Sequence, residues 1–225
     1  MVPENFKFLP GVVLGQLFLV LAFAGTGCRT VKPTTGNQQP EATRRHRDGI
    51  GREVSIPIRP KRIISLAPNL TEILFALGLE ESIIGVTTYC DFPAAALARE
   101  RVGDTITPNV ERIIALKPDL VVVTTSSQLE RLTRQLDSLS IPVYVTNPRT
   151  VREVAATIRQ LGEVTGHGLR ASELAAEMEG RIRRVEERVA RLPRVRVLYL
   201  LQMDPLIVPG RQTFLNDLIN LAGGE

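Results

Sequence analysis

From Arg62 to Val145 the chain alternates short apolar runs with stripes of helical period. Ile63-Ile64-Ser65-Leu66 has the length of a strand and is ended by Ala67-Pro68. In Asn69-Leu70-Thr71-Glu72 a capping residue stands three positions before a glutamate, the spacing of a capping box, and the apolar ILFALG that follows predicts a helix closed by Gly78. Ile83 to Thr87 predicts a second strand, and Val110 to Leu116 a short helix that stops at Lys117-Pro118. Leu120-Val121-Val122-Val123 is β-branched without alternation, as in a strand buried on both faces. Leu129, Leu132, Leu136 and Leu139 make a helical stripe between Gln128 and Leu139. Ile141 to Val145 predicts a further strand, with Pro142 near its start, where a lost donor is tolerated. This repetition predicts an α/β lobe over residues 54–150, Rossmann-like, with a parallel sheet covered on both faces.

The rhythm then changes. Thr150-Val151-Arg152-Glu153 is a second capping box and opens a helix to about Thr165, which Gly166-His167-Gly168 interrupts. A longer helix from Leu169 to Arg191 carries Leu174, Met178, Ile182, Val185 and Val189 on one face and ion-pair spacings on the other, and Pro193 ends it. Residues 151–193 are therefore expected to be helical. Val195 to Leu201 predicts a strand, and Phe214 to Leu221 a helix, before Gly223-Gly224-Glu225. One strand and one helix cannot bury both faces of a sheet, so residues 194–225 read as the truncated start of a second α/β lobe.

The N-terminal quarter has a different character. Phe8 to Gly27 is apolar except for Gln16 and leads to Cys28, which predicts a signal peptide over residues 1–28. Gly25-Thr26-Gly27-Cys28 resembles a bacterial lipoprotein processing site, which implies lipidation of Cys28. The run is also close to the length that spans a bilayer, so an uncleaved anchor is the other reading. Residues 29–53 (RTVKPTTGNQQPEATRRHRDGIGR from Arg29 to Arg52) are polar and lack apolar periodicity, so they are expected to be a flexible tether with a solvated His46. About 25 such residues reach about 25–30 Å, enough for a folded body to stay near the outer face of the cytoplasmic membrane, in the periplasm or its equivalent.

Composition narrows the chemistry. With 44% hydrophobic and 23% charged residues the chain is not disordered throughout, and two cysteines with two histidines leave no ordinary zinc set. The net charge of +4 is spread along the chain; the densest arginine runs are Arg44, Arg45, Arg47 and Arg181, Arg183, Arg184. No nucleic-acid motif accompanies them, so no nucleic-acid partner is expected. After the first strand, Ala67-Pro68-Asn69 stands where a dinucleotide enzyme would place its glycines. With no P-loop or zinc-protease motif either, the residues point to neither an enzyme nor a cofactor.

Five stretches, in order, carry a resemblance: RIISLAPNLTEILFALG, GVTTYCDFP, NVERIIALKPDLVV, LDSLSIPVYV and GRQTFLNDLINLAGGE. Together they make residues 62–225 resemble the substrate-binding proteins of ABC importers for cobalamin and ferric siderophores. The resemblance implies two α/β lobes joined by a rigid helix, here Leu169 to Arg191, and a monomer that captures ligand in the cleft between lobes. Pro68, Asn69, Tyr89, Asp91 and Phe92 are the implied ligand-binding residues, on or beside loops Ala67–Thr71 and Thr88–Pro93. Loops Thr105–Asn109, Thr124–Gln128 and Gln202–Gly210 are implied neighbours of the cleft. Glu72 and Glu225 match the glutamates that pair with arginines of the membrane permease, although Glu72 also stands where a helix cap would. The tyrosine in TYCDFP favours cobalamin or another corrinoid. Cobalamin binders also place tryptophans near the positions of Thr105 and Thr124, and this chain has no tryptophan, so ferric siderophore and haem stay open, as does a tethered envelope scaffold. Cys90 is expected to be a buried free thiol.

Overall fold

The computed structural model describes residues 42–125 and 129–225. A hairpin of β1 (Thr43–Arg47) and β2 (Glu53–Pro57) precedes a five-stranded parallel sheet of β3 (Ile63–Ser65), β4 (Ile83–Val86), β5 (Glu100–Arg101), β6 (Leu120–Thr124) and β7 (Val143–Thr146). The strand order is β5-β4-β3-β6-β7, so the chain winds outward from β3 in one direction and returns to wind in the other. Three helices connect the strands: α1 (Pro68–Ala76), α2 (Val110–Ala115) and α3 (Leu129–Asp137).

Both sheet faces are covered, as the unbroken apolar run of β6 predicts. Leu120 and Val122 join α1 in one core, and Val121 and Val123 join α2 and α3 in the other. The first core is completed by α4 (Val151–Thr165) and α5 (Gly168–Val189). Thr150 caps α4 as its spacing predicts, its hydroxyl accepting from the Glu153 N–H at 3.2 Å. These two helices form an antiparallel pair, fastened by bidentate bonds from Arg159 to Glu179 (2.7 and 2.8 Å) and from Arg152 to Glu186 (2.6 and 2.7 Å). The Arg159 guanidinium holds the Glu179 carboxyl below the usual carboxylate range. On α5 the buried residues are Ala171, Ala175 and Ile182; Leu174 and Met178 are half-buried and Val185 is exposed, so the seam is narrower than the apolar stripe suggests. A last helix, α6 (Phe214–Leu221), docks on this pair, with Asp217 accepting from the Val151 N–H at 2.8 Å.

Two sequence expectations are corrected here. The tether expected over 29–53 does not extend that far, because the chain is folded from Thr43 and the lobe begins there rather than at residue 54. Asp48 is the reason: its buried carboxylate accepts from the Ile50 N–H (3.1 Å), the Arg52 N–H (2.8 Å) and Arg52 Nε (2.9 Å). Arg52 in turn donates to the Val143 carbonyl at 2.8 Å, and the Gly49 N–H to the Val145 carbonyl at 2.7 Å, so the turn covers the open edge of β7. A Cβ on Gly49 would stand 2.7 Å from the Asn147 nitrogen, which no other residue could accept without a shift. His46 is half-buried rather than solvated, and desolvation, with Arg44 nearby, lowers its pKa. Tyr144 lies beneath, donating to the Arg47 carbonyl at 3.3 Å; burial, reinforced by the Asp48 and Glu163 carboxylates, pushes its phenol up to about 12.

The second correction concerns Val195 to Leu201, which is not a strand. Val195 makes one isolated parallel bridge to Gly224, and the flanking bonds join Val195 and Val197 to Glu225. The side chains from Val195 to Leu201 are exposed. Residues 1–41, which include the expected signal peptide and Cys28, lie outside the described residues, as do residues 126–128 of the Thr124–Gln128 loop. Among the described residues no helix is long and apolar enough to cross a membrane.

Candidate ligand-binding edge

In an open parallel sheet, strands that diverge from a central pair leave a crevice at their carboxyl ends, where the following loops separate. Here that pair is β3 and β6, held in register by Ile63 opposite Leu120 and Ser65 opposite Val122. The loops leaving β3, β4 and β5 at this edge are 66–67, 87–93 and 102–109.

The first two loops are tied by a buried polar cluster. The Thr71 hydroxyl on α1 lies 2.8 Å from Ser65 Oγ, 3.1 Å from the Ala67 carbonyl and 3.1 Å from Cys90 Sγ. Thr87 Oγ1 approaches the same sulfur at 3.1 Å. Below the loop, Arg101 Nη1 donates to the carbonyls of Thr87 (2.7 Å) and Cys90 (2.8 Å). Cys90 is completely buried and is a free thiol, so its side chain anchors the loop and does not face solvent. With Cys90 turned in, its neighbours point out: Tyr89 is 64% and Phe92 65% exposed. Large aromatic side chains that fill no core and sit on a pinned loop are poised to stack on an incoming planar or apolar surface. Substituting Cys90 by serine keeps a group that can bond both threonines, so ligand affinity is expected to stay within about tenfold by titration. A complete loss of binding would instead make the sulfur a ligand contact.

The other expected residues lie on the same two segments. Pro68 is half-buried at the first position of α1, and Asn69 beside it is exposed, as is Asp91 between the aromatic residues. Asn69 does not cap the helix. Ala67 is the N-cap, with extended backbone (φ −155°, ψ 146°) and no side-chain bond, because Pro68 is suited to the first helical position. Glu72 therefore lies in the second turn, too late for a capping box. It is exposed, and its side chain makes no hydrogen bond or ion pair with another described residue. Glu225 is bonded to Val195 through its backbone, and its residue is exposed.

Sequence reasoning missed Ser65, Thr87, Arg101 and Asp104. Asp104 accepts from the Thr107 N–H at 2.5 Å, from Thr107 Oγ1 at 2.9 Å and from the Ile106 N–H at 2.7 Å, and these bonds, the one from the Thr107 N–H foremost, lower its pKa. Gly103 takes φ +95°, and a Cβ there would stand 2.7 Å from the Asn109 nitrogen, so this tight loop needs glycine. Ile106 is held 60% exposed at its tip, beside a cavity of about 310 Å³ lined by Thr107, Pro108, Val110, Leu132 and Gln135 among others. The Asp-x-x-Thr spacing was the available signal for this loop; nothing local marks Arg101. Among the described residues, no three His, Cys, Asp or Glu side chains converge on a site for a metal ion.

Comparison with known proteins places these features in company. A family model described as periplasmic binding protein matches residues 63–225. The vitamin B12-binding protein of Yersinia pestis (strain Pestoides F) is 31% identical over 165 residues, which is 73% of this chain and 59% of that protein. The chain thus spans about three fifths of the length of the curated relatives it matches. Among solved structures, the periplasmic vitamin B12-binding protein of Vibrio cholerae is similar with TM-score 0.67 and 30% identity, covering 75% of this chain and 66% of that one. The periplasmic heme-binding protein of Roseiflexus sp. RS-1 is similar with TM-score 0.65 and 28% identity, covering 73% and 64%.

Proposed function

The chain belongs to the periplasmic binding protein family, and we propose that it captures cobalamin or a related corrinoid outside the cytoplasm and delivers it to the membrane permease of an ABC importer. The observation that carries this reading is the exposed Tyr89 and Phe92 pair on a loop fixed from below by Cys90, Thr71 and Arg101. Such a face offers stacking area with little motion to freeze on binding. Capture requires no chemistry; the residues of the edge bind and orient. The likeness to vitamin B12-binding proteins supports a corrinoid. A second reading, haem, draws on the likeness to a heme-binding protein and on the absence of tryptophan from the chain; ferric siderophore is the third. On this account a lipid on Cys28 keeps the protein at the membrane and raises its concentration near the permease. The visible spectrum of protein purified from medium supplemented with each ligand separates the readings, because corrinoids, haem and ferric chelates absorb differently. A corrinoid band supports the first, a Soret band replaces it with the second, and a colourless protein from every medium removes all three.

Glu72 and Glu225 are assigned to permease docking. Since Glu72 is exposed and caps nothing, Glu72→Ala is expected to change stability by less than about 0.5 kcal/mol and to leave ligand affinity intact. Transport in cells carrying the cognate permease should fall sharply, and further when Glu225 is replaced as well. Normal uptake by the double variant would remove the docking assignment.

A further inference from the structure

The cavity beside Ile106 opens at the same edge as the aromatic pair. It lies between the start of α2 and the first two turns of α3, helices that both begin beyond the carboxyl ends of strands. Its loop is joined to the aromatic one, because the Thr88 N–H donates to the Gly103 carbonyl at 2.9 Å. Tyr89 is the next residue on one side of that bond. Ile106 is three residues along on the other, at most about 11 Å of chain. A macrocycle stacked on Tyr89 is wide enough to carry the substituents of its rim past Ile106 to the mouth of the cavity. At about 310 Å³ the cavity suits a short side group rather than a whole macrocycle. Ile106, Val110 and Leu132 give it apolar walls, on which Glu111, Arg131 and Gln135 place polar ends. Glu111 and Arg131 are exposed, and neither side chain makes a hydrogen bond or ion pair with another described residue. Their neighbours Arg112 and Arg134, by contrast, pair with Glu100 and Glu130. A carboxylate, a guanidinium and an amide therefore stand open around one apolar hollow.

That set distinguishes the two kinds of macrocycle considered above. A primary carboxamide both donates and accepts, so it needs an acceptor and a donor from the site; a carboxylate only accepts. Corrinoids carry carboxamides around the rim, and haem carries two propionates. Glu111 can accept from an amide NH2 while Arg131 or Gln135 donates to the amide oxygen. To a propionate, Glu111 offers only like charge, which offsets the attraction of Arg131. We propose that the cavity receives a rim carboxamide of the ligand and that Glu111 selects against a carboxylate in the same place. The site then takes an amide-rimmed corrinoid in preference to an acid-rimmed haem. This deepens the corrinoid reading and rests on it.

The test is calorimetric titration of the full chain with cyanocobalamin and with each of its separated monocarboxylic acids, in which one propionamide has become a propionate. At least one acid should bind the unsubstituted protein about fivefold more weakly than cyanocobalamin, the most that a single solvent-facing charge pair gives. For that acid the gap should close in Glu111→Gln and widen in Arg131→Gln. Haem binding should strengthen in Glu111→Gln. Glu111 in the first turn of α2 also suits the helix dipole, but that role acts on stability and would leave the ratio of acid to amide affinity unmoved. Both side chains are exposed, so neither variant is expected to unfold the lobe. Cyanocobalamin binding with the same ratio for every acid in all three proteins would overturn the assignment of Glu111 and leave the corrinoid reading standing. Failure of the unsubstituted protein to bind cyanocobalamin would overturn both.

Discussion

Asp48→Ala is expected to destabilise the lobe by about 3 kcal/mol, more than substitution in a solvated tether could. The side chain is fully shielded from solvent and gathers three donors, two backbone N–H groups and Arg52 Nε. Removing it leaves a guanidinium held against the Val143 carbonyl without its counter-charge, and leaves the turn donors unpaired. The side chain of Arg52 is 30% exposed, so water recovers part of the loss and the upper range for a broken buried pair is not reached. Asp48→Asn, which keeps an acceptor and loses the charge, should cost about half as much. Chemical unfolding followed by circular dichroism measures both. If the midpoint of Asp48→Ala matches the unsubstituted protein, the hairpin is not integral to the lobe.

The second large effect is on binding rather than folding. Tyr89→Ala is expected to weaken ligand binding by about 1–3 kcal/mol, the scale of a lost stacking aromatic. Because Tyr89 is mostly exposed, the thermal midpoint should hardly move. Arg101 provides the contrast: it fixes the loop by bonds to two carbonyls, so its loss should cost stability and affinity together. A stability loss at Tyr89 with unaltered affinity would place that ring in the structural role instead.

What the sequence could convey depended on whether the determinants were local. The β6 strand, the Thr150 cap and the limits of α6 are set by consecutive residues, and all were legible. The same capping pattern misled at Asn69, because Pro68 takes the first helical position and moves the helix start to Ala67; the proline itself was the signal. β1 was illegible for a different reason. Its TRRHR has no apolar period, and it is held by bonds from its turn to β7, about a hundred residues away. Val195 to Leu201 erred in the opposite direction: its composition favours a strand, but pairing requires a neighbour that a local window does not contain.

The candidate site divides in the same way. Tyr89 and Phe92 could be picked out because aromatic residues are scarce in this chain and these two stand together after a strand. The cluster that aims them joins Ser65, Thr71, Thr87, Cys90 and Arg101 from four segments, with no shared motif. The polar anchors of a loop become visible only when the sheet brings its strand ends together.

Hydrogen exchange of the protein with and without saturating cobalamin tests most directly whether this edge captures ligand. The account predicts slowed exchange in the loops at 66–70, 87–93 and 103–109, with the α4–α5 pair unchanged. Protection confined to the opposite ends of the strands, or no change at any concentration of cobalamin, would contradict it.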